Sequence, residues 1–251
     1  MPLVAANGLS FHVQELGAAT AIPVVMVHGL VIGSLASWYF TAAPVLAARR
    51  RVRVYDLRGH GRSERATTGY DVRTLASDLE ALTADLPAFD LVGHSWGGLV
   101  ALRFALDHPD RVRRIVVVEA PLPPSRAFEM ASFLDTTDPQ KLIAALPAPL
   151  QEAVAGGRRH ATRLVASIEF LALHSSLLAD VRSEPDLSDA ELATLAPPLL
   201  AAYGDSSSCM PAGERLARAV TGSILRVLPG GHYLHLDARA ELTREIEAHL
   251  G

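Results

Sequence analysis

Gly93-His94-Ser95-Trp96-Gly97-Gly98 joins two apolar runs of different period, and that junction is the most informative place in the chain. A short apolar run, Phe89-Asp90-Leu91-Val92, leads into it, and Leu99-Val100-Ala101-Leu102-Arg103-Phe104-Ala105-Leu106 leads out. The first reads as a buried strand and the second as a helix with an apolar face. A serine on so short a strand-to-helix connection sits on a sharp, strained turn that lifts its hydroxyl clear of the backbone. Gly93 and Gly97 suit that turn because side chains there would collide with the neighbouring strand and helix.

The flanking sequence repeats the same rhythm. Leu9 to Glu15 alternates apolar and polar residues, as a half-exposed edge strand does. Pro23-Val24-Val25-Met26-Val27 is continuously apolar, the pattern of a parallel strand buried on both faces, and it ends at His28-Gly29-Leu30. A helix is expected over 37–47, a strand over 52–55, and a glycine-punctuated loop from Asp56 to Ser63. An amphipathic helix follows over 71–86, and Arg114 to Val118 reads as another buried strand. Strands alternating with helices predict an α/β fold, a mostly parallel eight-stranded sheet with helices on both faces. From Pro121 to about Ala196 the rhythm breaks into proline-rich joints and helical stretches such as 161–178, the pattern of a helical insertion. It resumes with a strand over 198–203, a helix over 211–220, a strand over 223–228 that ends at Pro229-Gly230-Gly231-His232, and a closing helix over 240–250. The expected division is a core of 1–120 and 197–251 with a helical cap over 121–196.

The 251 residues are 49% hydrophobic and 20% charged, enough for a sizeable core. A net charge of −4 gives no electrostatic case for nucleic acid or an anionic membrane. Lys141 is the only lysine. The single cysteine, Cys209, leaves no partner for an internal disulfide and no cysteine-based metal cluster. Asp135 to Asp138 lacks metal-ligand spacing and reads as a helix boundary, so neither metal nor cofactor is expected. No run is long enough to span a bilayer and no signal peptide is read at the N-terminus, so a cytoplasmic protein is expected, a monomer or a homodimer.

A serine hydroxyl is a poor nucleophile until a base takes its proton, and histidine is the base that titrates near neutral pH. Of ten histidines, His232 stands out, following two glycines directly after the last strand, at the sheet edge where the serine turn also opens. His94 and His235 read as supporting or packing residues, and His28 and His60 as braces of their glycine loops.

Four ordered signatures carry a resemblance. They are His28-Gly29, Asp56-x-Arg58-Gly59-His60-Gly61-x-Ser63, the turn around Ser95, and Gly230-Gly231-His232. Over nearly its whole length the chain resembles the α/β-hydrolases that carry a helical cap. That resemblance implies Ser95 as nucleophile, His232 as general base and acid, and an oxyanion hole from the backbone N–H groups of Leu30 and Trp96. In the common family pattern the acid lies three residues after the glycine that ends the strand over 199–203. Here that position is Ser207, which cannot be the carboxylate. Glu119, closing the strand before the insertion, resembles the acid of some haloalkane dehalogenases, and Asp205, in the Ser207 loop, is the alternative.

A serine nucleophile suits acyl chemistry, whereas the carboxylate of dehalogenases and epoxide hydrolases suits theirs. The expected activity is hydrolysis of a carboxylic ester, thioester or lactone with a substantial apolar portion, through an acyl-enzyme. Acyl transfer or carbon–carbon bond hydrolysis by the same triad remains open, as does a ligand-binding receptor of the same fold. Pocket candidates are His28, Gly29, Trp38, Phe128, Phe133 and Phe170.

Overall fold

The computed structural model describes residues 3–18, 20–124, 151–152, 155–156 and 159–251. Among them one sheet is built from β1 Leu3–Ala6, β2 Leu9–Leu16, β3 Pro23–Val27, β4 Arg51–Tyr55, β5 Phe89–His94, β6 Val112–Val118, β7 Leu199–Gly204 and β8 Ile224–Leu228. The strand order is β1-β2-β4-β3-β5-β6-β7-β8, antiparallel across the first two pairings and parallel from β4 to β8. β2 is therefore not an edge strand, as its alternation suggested. β1 covers it, and β1 went unread because three of its four residues are exposed and show no buried face.

The parallel strands are apolar on both sides because both sides are covered. Val25, Val27, Leu91, Ile115 and Val117 face one core with α3 (Val72–Leu82) and α4 (Trp96–Asp107). Their neighbours Val24, Met26, Val92, Val116 and Val118 face another core with α1 (Ala36–Tyr39), α2 (Ala43–Leu46) and the C-terminal helix. Each such side chain, fully buried, contributes about 1.5–3 kcal/mol. The single helix expected over 37–47 is two short ones. Pro44 lacks the N–H that would reach back to Phe40, and its ring would crowd that carbonyl, so the first helix stops at Tyr39. α3 starts at Asp71, whose side chain accepts from the Thr74 N–H, and stops where the Thr83 hydroxyl bonds back to the Leu79 carbonyl.

Between β6 and β7 the described residues form α5 (Arg159–Leu173), α6 (Leu177–Ser183) and the single turn α7 (Asp189–Leu192). The continuous helix expected over 161–178 is broken between α5 and α6, which bend by 60°. Among the described residues no single helix is long and apolar enough to cross a membrane. After β7 come α8 (Met210–Ala219), β8, α9 (Leu234–Asp237) and α10 (Arg239–Leu250).

Two buried ion pairs fix the layers around the sheet. Arg50 donates to Asp90 on β5 at 2.9 Å. Arg58 grips Asp78 on α3 with two bonds of 2.7 Å, both partners nearly out of water. A bidentate pair of this kind supplies geometry as well as energy.

Candidate active site

Ser95 occupies the turn between β5 and α4 with φ 54° and ψ −125°, a conformation that side-chain-bearing residues rarely adopt. The turn is that tight because three glycines let backbones touch. A Cβ on Gly93 would lie 2.2 Å from the Gly97 carbonyl oxygen, and one on Gly97 would lie 2.5 Å from that of His28. A Cβ on Gly29 would come within 3.0 Å of the Ser95 Cβ, so the loop after β3 passes directly over the serine. The Ser95 N–H donates to the Val118 carbonyl at 2.8 Å, tying the turn to the end of β6.

The residue that follows β6 is Glu119. Its carboxylate is fully buried, and its backbone is also left-handed, with φ 56°. Burying a carboxylate is costly unless donors surround it. Here the Gly204 N–H donates to Oε1, while the Ser207 hydroxyl and His232 Nδ1 both meet Oε2, the latter at 3.3 Å. On the other side of the imidazole, His232 Nε2 lies 2.9 Å from Ser95 Oγ. With the Nδ1 proton held by the carboxylate, Nε2 is the nitrogen left to accept the serine proton. Serine, histidine and glutamate thus form a continuous relay drawn from the ends of β5, β6 and β8.

Asp205 sits elsewhere. Its Oδ1 accepts the Gly230 N–H at 3.0 Å, so this exposed carboxylate braces the histidine loop rather than the histidine. Ser207, at the position where the common pattern has the acid, instead offers its hydroxyl to Glu119 and accepts the Cys209 N–H at 3.1 Å. Cys209 Sγ lies 3.7 Å from His232 Nδ1. His94 donates from Nε2 to the His232 carbonyl at 2.8 Å and stacks edge-on against His235. Burial holds His94 well below its ordinary pKa and pulls His235 down to about 4, so both are neutral braces.

The Asp56–Ser63 loop holds the loop after β3 in place. Asp56 accepts the Leu35 N–H at 2.7 Å and the Arg62 N–H at 2.9 Å, and meets His12 Nδ1 at 2.8 Å. His60 Nε2 accepts the N–H of Val31, itself left-handed at φ 69°. Burial drops His60 to about 3, which keeps that nitrogen free to accept. Leu30 lies on the wall of the cavity beside Ser95. Trp96 opens α4, where a first-turn amide has no intrahelical carbonyl to reach.

That cavity, about 350 Å³, is lined by Gly29, Leu30, Ser95, His232, Tyr233 and Leu164 of α5, among others. A second hollow of about 370 Å³ shares Ile32, Gly33, Ser34, Ala36 and Leu164 with it and runs on past Tyr39 and Phe40. Two pocket expectations need correction. Trp38 is wholly buried, donating Nε1 to the Val27 carbonyl at 3.0 Å, because its helix turns it into the core. His28 is also wholly buried. It accepts the Leu57 N–H on Nε2 and donates from Nδ1 to the Gly29 carbonyl, bracing the loop from beneath. Phe170 is half-buried, packed against the core with Arg65 over its ring. Phe128 and Phe133, like the aspartates of 135–138, lie outside the described residues.

A family model described as "alpha/beta hydrolase fold" matches residues 22–152. A protein of Variovorax paradoxus (strain S110) named "Putative carbamate hydrolase RutD" is 32% identical over 242 residues, covering 90% of either chain. The 2-hydroxy-6-oxo-2,4-heptadienoate hydrolase of Pseudomonas putida (strain F1) is 38% identical over 140 residues, 53% of this chain and 48% of its own length. The crystal structure of the enol-lactonase from Burkholderia xenovorans LB400 superposes with a TM-score of 0.80 at 21% identity, covering 99% of each chain, and speaks for the fold alone.

Proposed function

The chain belongs to the α/β-hydrolase family, and on that footing we propose that it is a serine hydrolase cleaving a carboxylic ester, thioester or lactone through an acyl-enzyme. The observation that carries this reading is the pair of contacts made by one imidazole, 2.9 Å to Ser95 Oγ and 3.3 Å to Glu119.

In the proposed sequence His232 Nε2 takes the Ser95 proton as Oγ bonds to the substrate carbonyl carbon. The carbonyl electrons move onto oxygen, where the amides of Trp96 and Leu30 receive the charge. Losing one such donor typically costs on the order of 10²–10³ in rate. The imidazolium returns its proton to the departing alcohol, thiol or lactone oxygen, leaving the acyl-enzyme. Water, deprotonated by the same nitrogen, then releases the acid and restores Ser95. Glu119 keeps its charge throughout, fixing the tautomer and stabilising the transient imidazolium. The two joined hollows, walled by Ile32, Leu164, Tyr39 and Phe40, suit a substrate with an extended apolar portion. The cap expected within 121–196 would reach them through α5, whose Leu164 lines both.

The relative named as a carbamate hydrolase adds carbamates to the substrates worth screening, since the same attack on an acyl carbon opens them. A second reading, carbon–carbon bond hydrolysis of a diketone by the same triad, is favoured by the 38% identity to a 2-hydroxy-6-oxo-2,4-heptadienoate hydrolase. The first test is labelling by a fluorophosphonate. Stoichiometric modification of Ser95, absent in Ser95→Ala, is expected together with turnover of short p-nitrophenyl esters. Folded protein that stays unlabelled would point to a receptor of this fold and end the proposal.

A further inference from the structure

The base and the acid of this site share their interface with a third side chain. Cys209, at the start of α8, is 4% exposed and brings Sγ to 3.7 Å from His232 Nδ1, the nitrogen that also lies 3.3 Å from Glu119 Oε2. The three ligand atoms fall within 4.8 Å of one another. Zinc(II) binds sulfur at about 2.3 Å and nitrogen or oxygen at about 2.0–2.2 Å; at tetrahedral angles the donors are about 3.4 Å apart for N···O and about 3.6 Å for S···N. The observed separations match both. Thiolate and carboxylate together balance the two charges of the ion, which a buried site requires. The fourth position falls to the Ser207 hydroxyl, already in contact with Glu119, or to water.

We propose that Glu119, Cys209 and His232 form an inhibitory binding site for zinc or a similarly thiophilic divalent cation, inserted between the base and the acid. The consequence for catalysis rests on the serine-hydrolase reading; the binding itself does not. Binding releases the thiol proton to solvent and moves the Nδ1 proton to Nε2. One proton therefore leaves per ion. His232 then presents an N–H to Ser95 Oγ and cannot take the serine proton. The carboxylate is spent on the metal, and the enzyme is off until a chelator removes the ion.

The test titrates the purified full chain with cadmium(II) and follows the ultraviolet thiolate-to-cadmium charge-transfer band. Cys209 is the only cysteine, so the band reports this site alone. One equivalent is expected to saturate it, and both Cys209→Ala and Cys209→Ser are expected to lack it. In parallel, zinc should slow fluorophosphonate labelling of the wild type at least tenfold, reversed by EDTA. The same zinc should change each variant's own labelling rate by less than twofold. Absence of the band, a band without slower labelling, or equal slowing in the variants would overturn the proposal. If the metal-free wild type is not labelled at all, the serine-hydrolase reading fails while the cadmium band still judges the site.

Discussion

Replacing Glu119 by glutamine, with Asp205→Asn beside it, tests the relay most directly. Glu119 receives three donors: the Gly204 N–H on one oxygen, and the Ser207 hydroxyl and His232 Nδ1 on the other. A glutamine supplies one oxygen and one NH₂, so one side must change. If the NH₂ turns toward Gly204, two donors face each other in a fully buried place, at a cost of about 1–3 kcal/mol in stability. If it turns toward His232, the ring must accept on Nδ1 and carry its proton on Nε2, which removes the base. The wrong-tautomer state of a serine–histidine–carboxylate triad lowers kcat by about 10⁴, or about 5 kcal/mol of barrier. Asp205→Asn keeps an oxygen for the Gly230 N–H at an exposed site. Its effect should stay within about 0.5 kcal/mol, roughly twofold in rate. The assay is kcat/KM on a p-nitrophenyl ester, with urea unfolding of each variant to separate chemistry from stability. An Asp205→Asn loss that equals or exceeds the Glu119→Gln loss would refute the relay as drawn here.

Three further outcomes are expected. Gly93→Ala places a methyl 2.2 Å from the Gly97 carbonyl oxygen and should destabilise the fold by about 3 kcal/mol or more; a variant with unchanged urea midpoint would contradict the packing of the serine turn. Arg58→Met leaves the wholly buried Asp78 without its cation and should cost about 3–5 kcal/mol, whereas a loss under about 1 kcal/mol in the same measurement would show that pair to be dispensable. Stability should also fall as pH drops from about 6.5 toward 5. The native chain holds His60 near 3 and His235 near 4, so only the unfolded state takes up those protons and gains from them. Urea midpoints at pH 7.5 and pH 5 check the sign, and a higher midpoint at pH 5 would refute neutral burial of both rings.

The sequence was legible where a residue's job is local. Gly93, Ser95 and Gly97 announce their turn because strand, bend and helix follow within a few positions, and β3 announces itself because both its faces are buried. Elements failed to show where a neighbour decides the matter: β1 exposes its residues and carries no pattern, and Pro44 splits a helix that apolar spacing alone would continue. For the acid, motif arithmetic could only rule Ser207 out and leave Glu119 against Asp205. What distinguishes them is which loop reaches the imidazole, and the Ser207–Glu119 contact spans 88 positions. Cys209 is a lone cysteine in the sequence, and its approach to His232 is invisible there because 23 positions separate the two.

The amide of Ser95 is bonded to the carbonyl of Val118, one residue from Glu119, so Ser95 and Glu119 are tied to adjacent rails of one sheet. The imidazole arrives on a loop pinned at several points: the Gly230 N–H to Asp205, the Gly230 carbonyl to Ser206, the Gly231 N–H to Asp237 and the His232 carbonyl to His94. That loop lies beyond the last strand, so its bonds can be retuned one at a time without disturbing the sheet. Directed evolution for speed or heat resistance should find its useful changes along the 229–238 loop, leaving the two rails untouched.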